Sequence, residues 1–283
     1  MRSEEKRNFG HIVAEPLVTP PRTKITDQAE GLRQLVQNRS RSTNARVIAV
    51  TSGKGGVGKT TVSVNLAASL ALEGNKVGLL DVDIDCPNAN KVLGVTEVAD
   101  YVDGQIIPAE KWGVKVVSMA FFQEKEDEAI IWRGPMVHNA INQFLQSTEW
   151  GELDYLIVDL PPGTSDSPLT VMQTIPMDGF VVVTTPQLLA NVDAKRCINM
   201  IRKLNLNIVG VVENYTGEVF GQGAGSTLAT EVGADYLGNI ALRSSYQDNS
   251  RPTVLLDDEV STEYGDITAN LKASLKSLGR EAP

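Results

Sequence analysis

Cysteine is scarce in this 283-residue chain: there are two, Cys86 and Cys197, and they form no CxxC pair. One chain therefore builds neither a disulfide framework nor a four-thiolate metal site. Long apolar runs are missing as well. None approaches the roughly 18 residues that a membrane span requires. The charged opening MRSEEKRNFG leads into no apolar segment of the kind that marks a secretory signal. Positive charge is short everywhere except near the start. Residues 1–46 hold nine Lys/Arg against five Asp/Glu, and the remainder holds 17 against 30. So acidic a body argues against sequence-independent nucleic-acid binding, which neutralises phosphates with many basic groups. The expectation is a cytoplasmic protein without a nucleic-acid partner.

Hydrophobic residues make up 42% of the chain, enough for a substantial core. Residues 1–45, with Pro16, Pro20, Pro21 and the run NRSRSTN, show little periodicity apart from a short helical spacing around 28–37. They read as a flexible basic tail. From Arg46 onward apolar strand-like runs recur: RVIAVT, KVGLLDVD, VKVVSMA, YLIVDL, GFVVVTT, NIVGVVEN and DYLGNIA. Helix-spaced segments at 60–73, 136–147 and 188–204 separate several of them. Strands apolar on both faces that alternate with helices predict an α/β fold, a mostly parallel central sheet with helices on both faces. One domain is expected over 46–283.

Residues 52–61, SGKGGVGKTT, carry the chemistry. Gly53 through Thr60 fit the phosphate-loop pattern G-x-x-x-x-G-K-[ST], between an apolar strand and a helix-forming stretch. Glycines here allow successive backbone N–H groups to face phosphate oxygens at a helix N-terminus. Lys59 is expected to reach the β- and γ-phosphates, and the Thr60 hydroxyl to ligate Mg²⁺. Gly53, Lys54, Gly55, Gly56, Val57, Gly58, Lys59, Thr60 and Thr61 form the candidate nucleotide cradle. LLDVDID leaves Asp81 and Asp83 at one strand end, and YLIVDLPPG leaves Asp159 at another. Ligands of open α/β sheets bind outside those ends, so all three carboxylates are expected to converge on the phosphates. Asp159 suits a metal held through water, and Asp83 could orient an attacking water. Asp81 reads equally as a structural cap.

With its second lysine, the loop KGGVGKT resembles the deviant Walker A of the MinD/ParA/ArsA/NifH group of P-loop ATPases. IWRGPM, WGELDYLIVDLPPGTSD, VVVTTPQLLANVDAKR and VGVVEN narrow the resemblance to the Mrp/ApbC family, over about 46–280. That resemblance implies an ATP-hydrolysing homodimer, dependent on Mg²⁺, in which Lys54 crosses to the partner's phosphates. It implies that Asp83 is the switch I aspartate, in the metal shell with Thr60 and Asp159. Asp159 with Leu160–Gly163 would form switch II, with the Gly163 N–H sensing the γ-phosphate, and Asn214 would read the adenine edge. The implied role is assistance to the assembly of iron–sulfur or other metalloproteins, which would be the clients.

The chain also departs from the family. After VEN the family carries a CxxC that holds a cluster between two subunits; here the stretch reads YTGEVFGQGAG. Four thiolates are the usual cluster ligation, so a bound iron–sulfur cluster is not expected at that place. IALRSS likewise replaces the usual I-P-L-D. The alternative reading is an ATP-driven dimeric switch that binds a partner protein or membrane and carries no cluster. Cys197 has the spacing of a core residue and Cys86 that of a loop residue near the nucleotide. The last helix, with Ile267, Leu271, Leu275 and Leu278 on one face, is expected to pack on the sheet rather than on a membrane.

Overall fold

The structure, a computed structural model, describes residues 45–96, 100–122 and 134–279. Residues 1–44 of the expected tail over 1–45, with its helical spacing near 28–37, and residues 131–133 of IWRGPM lie outside them.

Seven apolar runs become seven parallel strands. These are β1 (Arg46–Ser52), β2 (Val77–Asp81), β6 (Val114–Ser118), β7 (Tyr155–Asp159), β8 (Gly179–Thr184), β9 (Ile208–Thr216) and β10 (Tyr236–Ala241). The sheet order is β10-β9-β8-β1-β7-β2-β6, and β5 (Ala109–Lys111) closes the far edge antiparallel to β6. A separate hairpin joins β3 (Asp100–Val102) to β4 (Gln105–Ile107). β2, β7 and β8 are buried along their whole length, as strands covered on both faces must be.

Alternate residues of these strands enter two cores. Ile48, Val50, Leu79 and Ile157 pack with Val62, Leu66 and Leu70 of α1 (Lys59–Leu72). Ile267, Leu271 and Leu275 of α7 (Asp258–Ser277) join the same core. On the other face, Ala49, Leu80, Val158 and Val182 pack against α3 (Gly134–Ser147), α4 (Asp166–Thr174), α5 (Leu188–Lys203) and α6 (Ala224–Val232). Ile141, Val171, Ile198 and Leu228 are representatives of those four helices in that core. The fully buried faces of α7 and of Cys197 in α5 agree with the core positions expected of both. Leu278 is the exception: it lies past the end of α7 and is 38% exposed.

Strand order positions the site. The chain leaves β1 through α1 to reach β2, with β7 inserted between them, whereas β8 lies on β1's other side. The end of β1 is therefore a topological switch point, the place where open α/β sheets form a crevice. The register brings Asp159 beside Val50 on one side and beside Asp81 on the other.

Candidate nucleotide site

Residues 53–58 link β1 directly to α1, and two of their glycines answer distinct demands. A Cβ on Gly53 would sit 2.0 Å from the Asp193 carbonyl carbon, backbone of α5 that no side-chain rotation can clear. Gly58 has φ +80°, and its Cβ would meet the Asn214 Nδ2 atom at 2.3 Å. Only glycine combines that conformation with that approach. The loop is thus clasped by α5 on one side and by the end of β9 on the other. Asn214 tightens the clasp, its amide donating to the Val57 carbonyl at 2.9 Å.

Lys59, the first residue of α1, is buried, and its ammonium donates to Asp159 Oδ1 at 2.8 Å. Asp83 Oδ2 is 3.8 Å from the same ammonium. Burial alone would lower the Lys59 pKa, but the Asp159 carboxylate, with Asp83 and Asp81 behind it, raises it above the ordinary value. The lysine is held charged at the strand ends. Ser63, one turn further along α1, donates to Asp159 Oδ1 at 2.7 Å. The other oxygen of Asp159 is buried without a hydrogen-bond partner among the described residues. Such an orphan acceptor is expensive unless a ligand or water meets it.

The three carboxylates do not converge alike. Asp83 and Asp159 both face Lys59. Asp81 does not: its oxygens accept from the backbone N–H of Asp83 (3.1 Å) and Ala89 (3.0 Å) and from the Ser118 hydroxyl (2.9 Å). Both of its oxygens accept from protein donors, so the cap reading describes it. Burial, then the neighbouring Asp159 charge, pushes the Asp81 pKa up to about 7. Burial also raises Asp83, against the pull of Lys59. Cys86 lies exposed in the same loop, with its N–H donating to Asp83 Oδ1 at 3.2 Å.

Lys54 contrasts with Lys59. It is half-buried at the loop rim, and its ammonium makes no ion pair among the described residues, while its carbonyl accepts from the Ser52 hydroxyl at 2.8 Å. Gly163, φ +93°, donates its N–H to the Ser52 carbonyl at 2.9 Å, joining the turn after β7 to the start of the loop.

Sequence reasoning missed three contributors. Ser63 stands four residues after Lys59, on the same helical face, which is a usable signal. Ser118 has none, because β6 reaches the site only through the sheet. Glu213, buried in β9, accepts from the N–H groups of Gly223 (2.9 Å) and Gly225 (3.0 Å) at the start of α6. A carboxylate within an apolar strand was its signal, since a buried charge needs partners. The stretch that lacks a CxxC is a tight turn, with Gly217 and Gly221 exchanging backbone hydrogen bonds of 3.1 and 2.7 Å.

Known proteins place this geometry. The family described as ParA, NUBPL iron-transfer P-loop NTPase, matches residues 43–272. An iron-sulfur cluster carrier protein of Methanocaldococcus jannaschii is 44% identical, covering 79% of this chain and 83% of its own. A protein of the same name from Aquifex aeolicus is 41% identical over 82% of this chain and 68% of its own. Among solved structures, a nucleotide-binding protein from Archaeoglobus fulgidus in complex with ADP is 33% identical with a TM-score of 0.65, covering 79% of this chain and 90% of that one. The cell-division ATPase MinD of Pyrococcus furiosus, 22% identical, shares the fold at a TM-score of 0.65 over 81% and 99% of the two chains. With the phosphate loop at the switch point and the match running almost the whole described length, this chain belongs to the family of ParA/NUBPL iron-transfer P-loop NTPases, the Mrp/ApbC type.

Proposed function

We propose that the chain is an Mg²⁺-dependent ATPase that works as a homodimer and serves the assembly of iron–sulfur or other metalloproteins. The contrast between its two loop lysines carries the reading. Lys59 is buried between Asp159 and Asp83 within its own subunit, whereas Lys54, at the rim, makes no ion pair among the described residues. A cation at the rim suits phosphates held by a second subunit. Supplied in trans to a transferring phosphoryl group, such a cation is worth about 10³–10⁵ in rate.

The residues fit Mg²⁺. Thr60 stands second in α1, Asp83 borders Lys59, and the unpartnered oxygen of Asp159 is a hard acceptor suited to metal-bound water. Among the described residues no three His, Cys, Asp or Glu form a metal cage by themselves. The remaining ligands would come from phosphate and water, as is usual for this cation. When bound with nucleotide, Mg²⁺ would neutralise phosphate charge. The chain's own groups do the rest. Backbone N–H groups of 53–60 bind phosphate, Lys59 leaves Asp159 for the phosphates, and Asp83 orients water at the end of its loop. The Gly163 N–H is one hydrogen bond from the loop and suited to report on its occupant. Asn214, bonded to the Val57 carbonyl, would read the adenine edge.

The link to metalloprotein assembly rests on the relatives named iron-sulfur cluster carrier proteins, and the client is an unidentified protein. A second reading, an ATP-driven switch that binds a partner without carrying a cluster, is favoured by the cysteine-free turn at Gly217–Gly221. For the ATPase dimer the test is Lys54→Ala. It should bind ATP with near-normal affinity and lose most turnover, measured as phosphate release beside the oligomeric state. Turnover that survives in an intact dimer would remove Lys54 from the site across the interface.

A further inference from the structure

Asp81 is fully buried and makes no hydrogen bond with Lys59, whose ammonium donates to Asp159 instead. Its three donors come from three different elements. The Asp83 N–H belongs to the loop after β2, the Ala89 N–H opens α2 (Ala89–Leu93), and the Ser118 hydroxyl ends β6. The loop of residues 82–88 is thereby closed into a ring with both ends fixed on one side chain. Asp83 is held inside it, one oxygen accepting from Cys86 N–H at 3.2 Å and the other 3.8 Å from Lys59. A cap alone does not need an acid, since Ser or Asn satisfies a helix-start N–H. Three donors on one side chain do need it: a carboxylate offers acceptors on both oxygens, and an amide would turn an N–H against a donor.

We propose that Asp81 is a positioning residue for ATP hydrolysis: it ties β2, β6 and α2 to the switch I loop and so sets where the Asp83 carboxylate stands. This rests on the reading above in which Asp83 orients the attacking water. Asp81's own hydrogen bonds all come from protein donors. Its loss therefore displaces Asp83 in the transition state and leaves the loop that binds ATP in place. Misplacement of a reacting group by about 1 Å costs on the order of 10²-fold in rate.

The test compares Asp81→Asn, Ser118→Ala and Asp83→Asn in the full chain, with the double variant Asp81→Asn/Asp83→Asn. ATP affinity is read with a fluorescent analogue, kcat from phosphate release, and loop order from amide hydrogen exchange. For Asp81→Asn, kcat should fall about ten- to hundred-fold while affinity changes by no more than about threefold. Exchange should rise over 82–89 and stay unchanged in α1. Ser118→Ala removes one tether and should show a smaller fall in kcat; it serves if Asp81→Asn does not fold. The double variant should be no slower than Asp83→Asn, because both act through one carboxylate. Normal kcat in Asp81→Asn, or a loss of affinity matching the loss of kcat, overturns the proposal. So does a double variant slower than Asp83→Asn by the full Asp81 factor, which would show that Asp81 acts apart from Asp83. Asp83→Asn with normal turnover beside a slow Asp81→Asn refutes the water-orienting role and this inference together. Normal turnover in Asp81→Asn beside a slow Asp83→Asn refutes this inference alone.

Discussion

Two cysteines set the scale of single residues, because identical side chains meet opposite environments. Cys197 is fully buried in α5, its sulfur 3.7 Å from the Thr51 hydroxyl, and burial pushes its thiol up to about 11. Cys86 is exposed on the Asp83 loop. The thiolate is the reactive form, so burial and a raised pKa both protect Cys197, while Cys86 is open to reagent. At pH 8, iodoacetamide should label one thiol per chain in the native protein and two in denaturant, counted by mass. The same difference acts on stability. An unfolded thiol ionises near pH 8.5–9, while the folded Cys197 keeps its proton to about 11. The stabilisation is thus complete below the unfolded value and lost as pH rises through the folded one, so Cys197→Ala should flatten the alkaline decline in stability. These two environments were legible in the sequence, one from helical spacing and one from the DIDCPN loop. The phosphate loop was legible for a similar reason: its residues are contiguous between one strand and one helix. Asp81 was not. Its partners lie 2, 8 and 37 residues away and meet only when β2, β6 and α2 are assembled.

At the scale of elements, α7 separates the two uses of a C-terminal amphipathic helix. Asp257 caps it, accepting from the N–H groups of Glu259 (3.0 Å) and Val260 (3.2 Å), and its apolar face is spent on the sheet. Arg243, at the end of β10, makes a two-bond pair with Glu263 of 2.7 and 2.9 Å and reaches Glu259 as well. The arginine in IALRSS thus fastens β10 to α7. Its hydrogen bonds to Glu263, above all, hold the arginine's pKa above the ordinary value, against burial. Leu271 is fully buried in the core shared with α1. Leu271→Ala should cost about 2–5 kcal/mol, the usual range for such a truncation, seen as a lower urea midpoint with an unchanged slope. A membrane-facing residue would show almost no change. The seven parallel strands were legible because burial on both faces leaves continuous apolar runs. β3, β4, β5 and α2 were not, being three to five residues long and partly exposed, too short for either period to emerge.

The whole molecule poses the question of cargo. A family related to iron–sulfur carriers is joined here to a chain with one accessible thiol, and a homodimer would present two. Four thiolates are the usual ligation of a [4Fe–4S] cluster. Releasing Cys197 to supply the others would open the core between α5 and β1, where a thiol held to about pH 11 is a poor metal ligand. Anaerobic reconstitution with iron and sulfide, followed by gel filtration, should therefore leave protein without stable cluster absorbance, with and without ATP and Mg²⁺. ATP turnover should be the same before and after the treatment. Stable absorbance that vanishes in Cys86→Ser would instead make the Asp83 loop the cluster site, two such loops facing each other across the dimer. Absorbance that survives Cys86→Ser would require ligands other than the exposed thiol. The expected result would place the chain on the ATP-driven side of assembly, acting on a client that holds the metal itself.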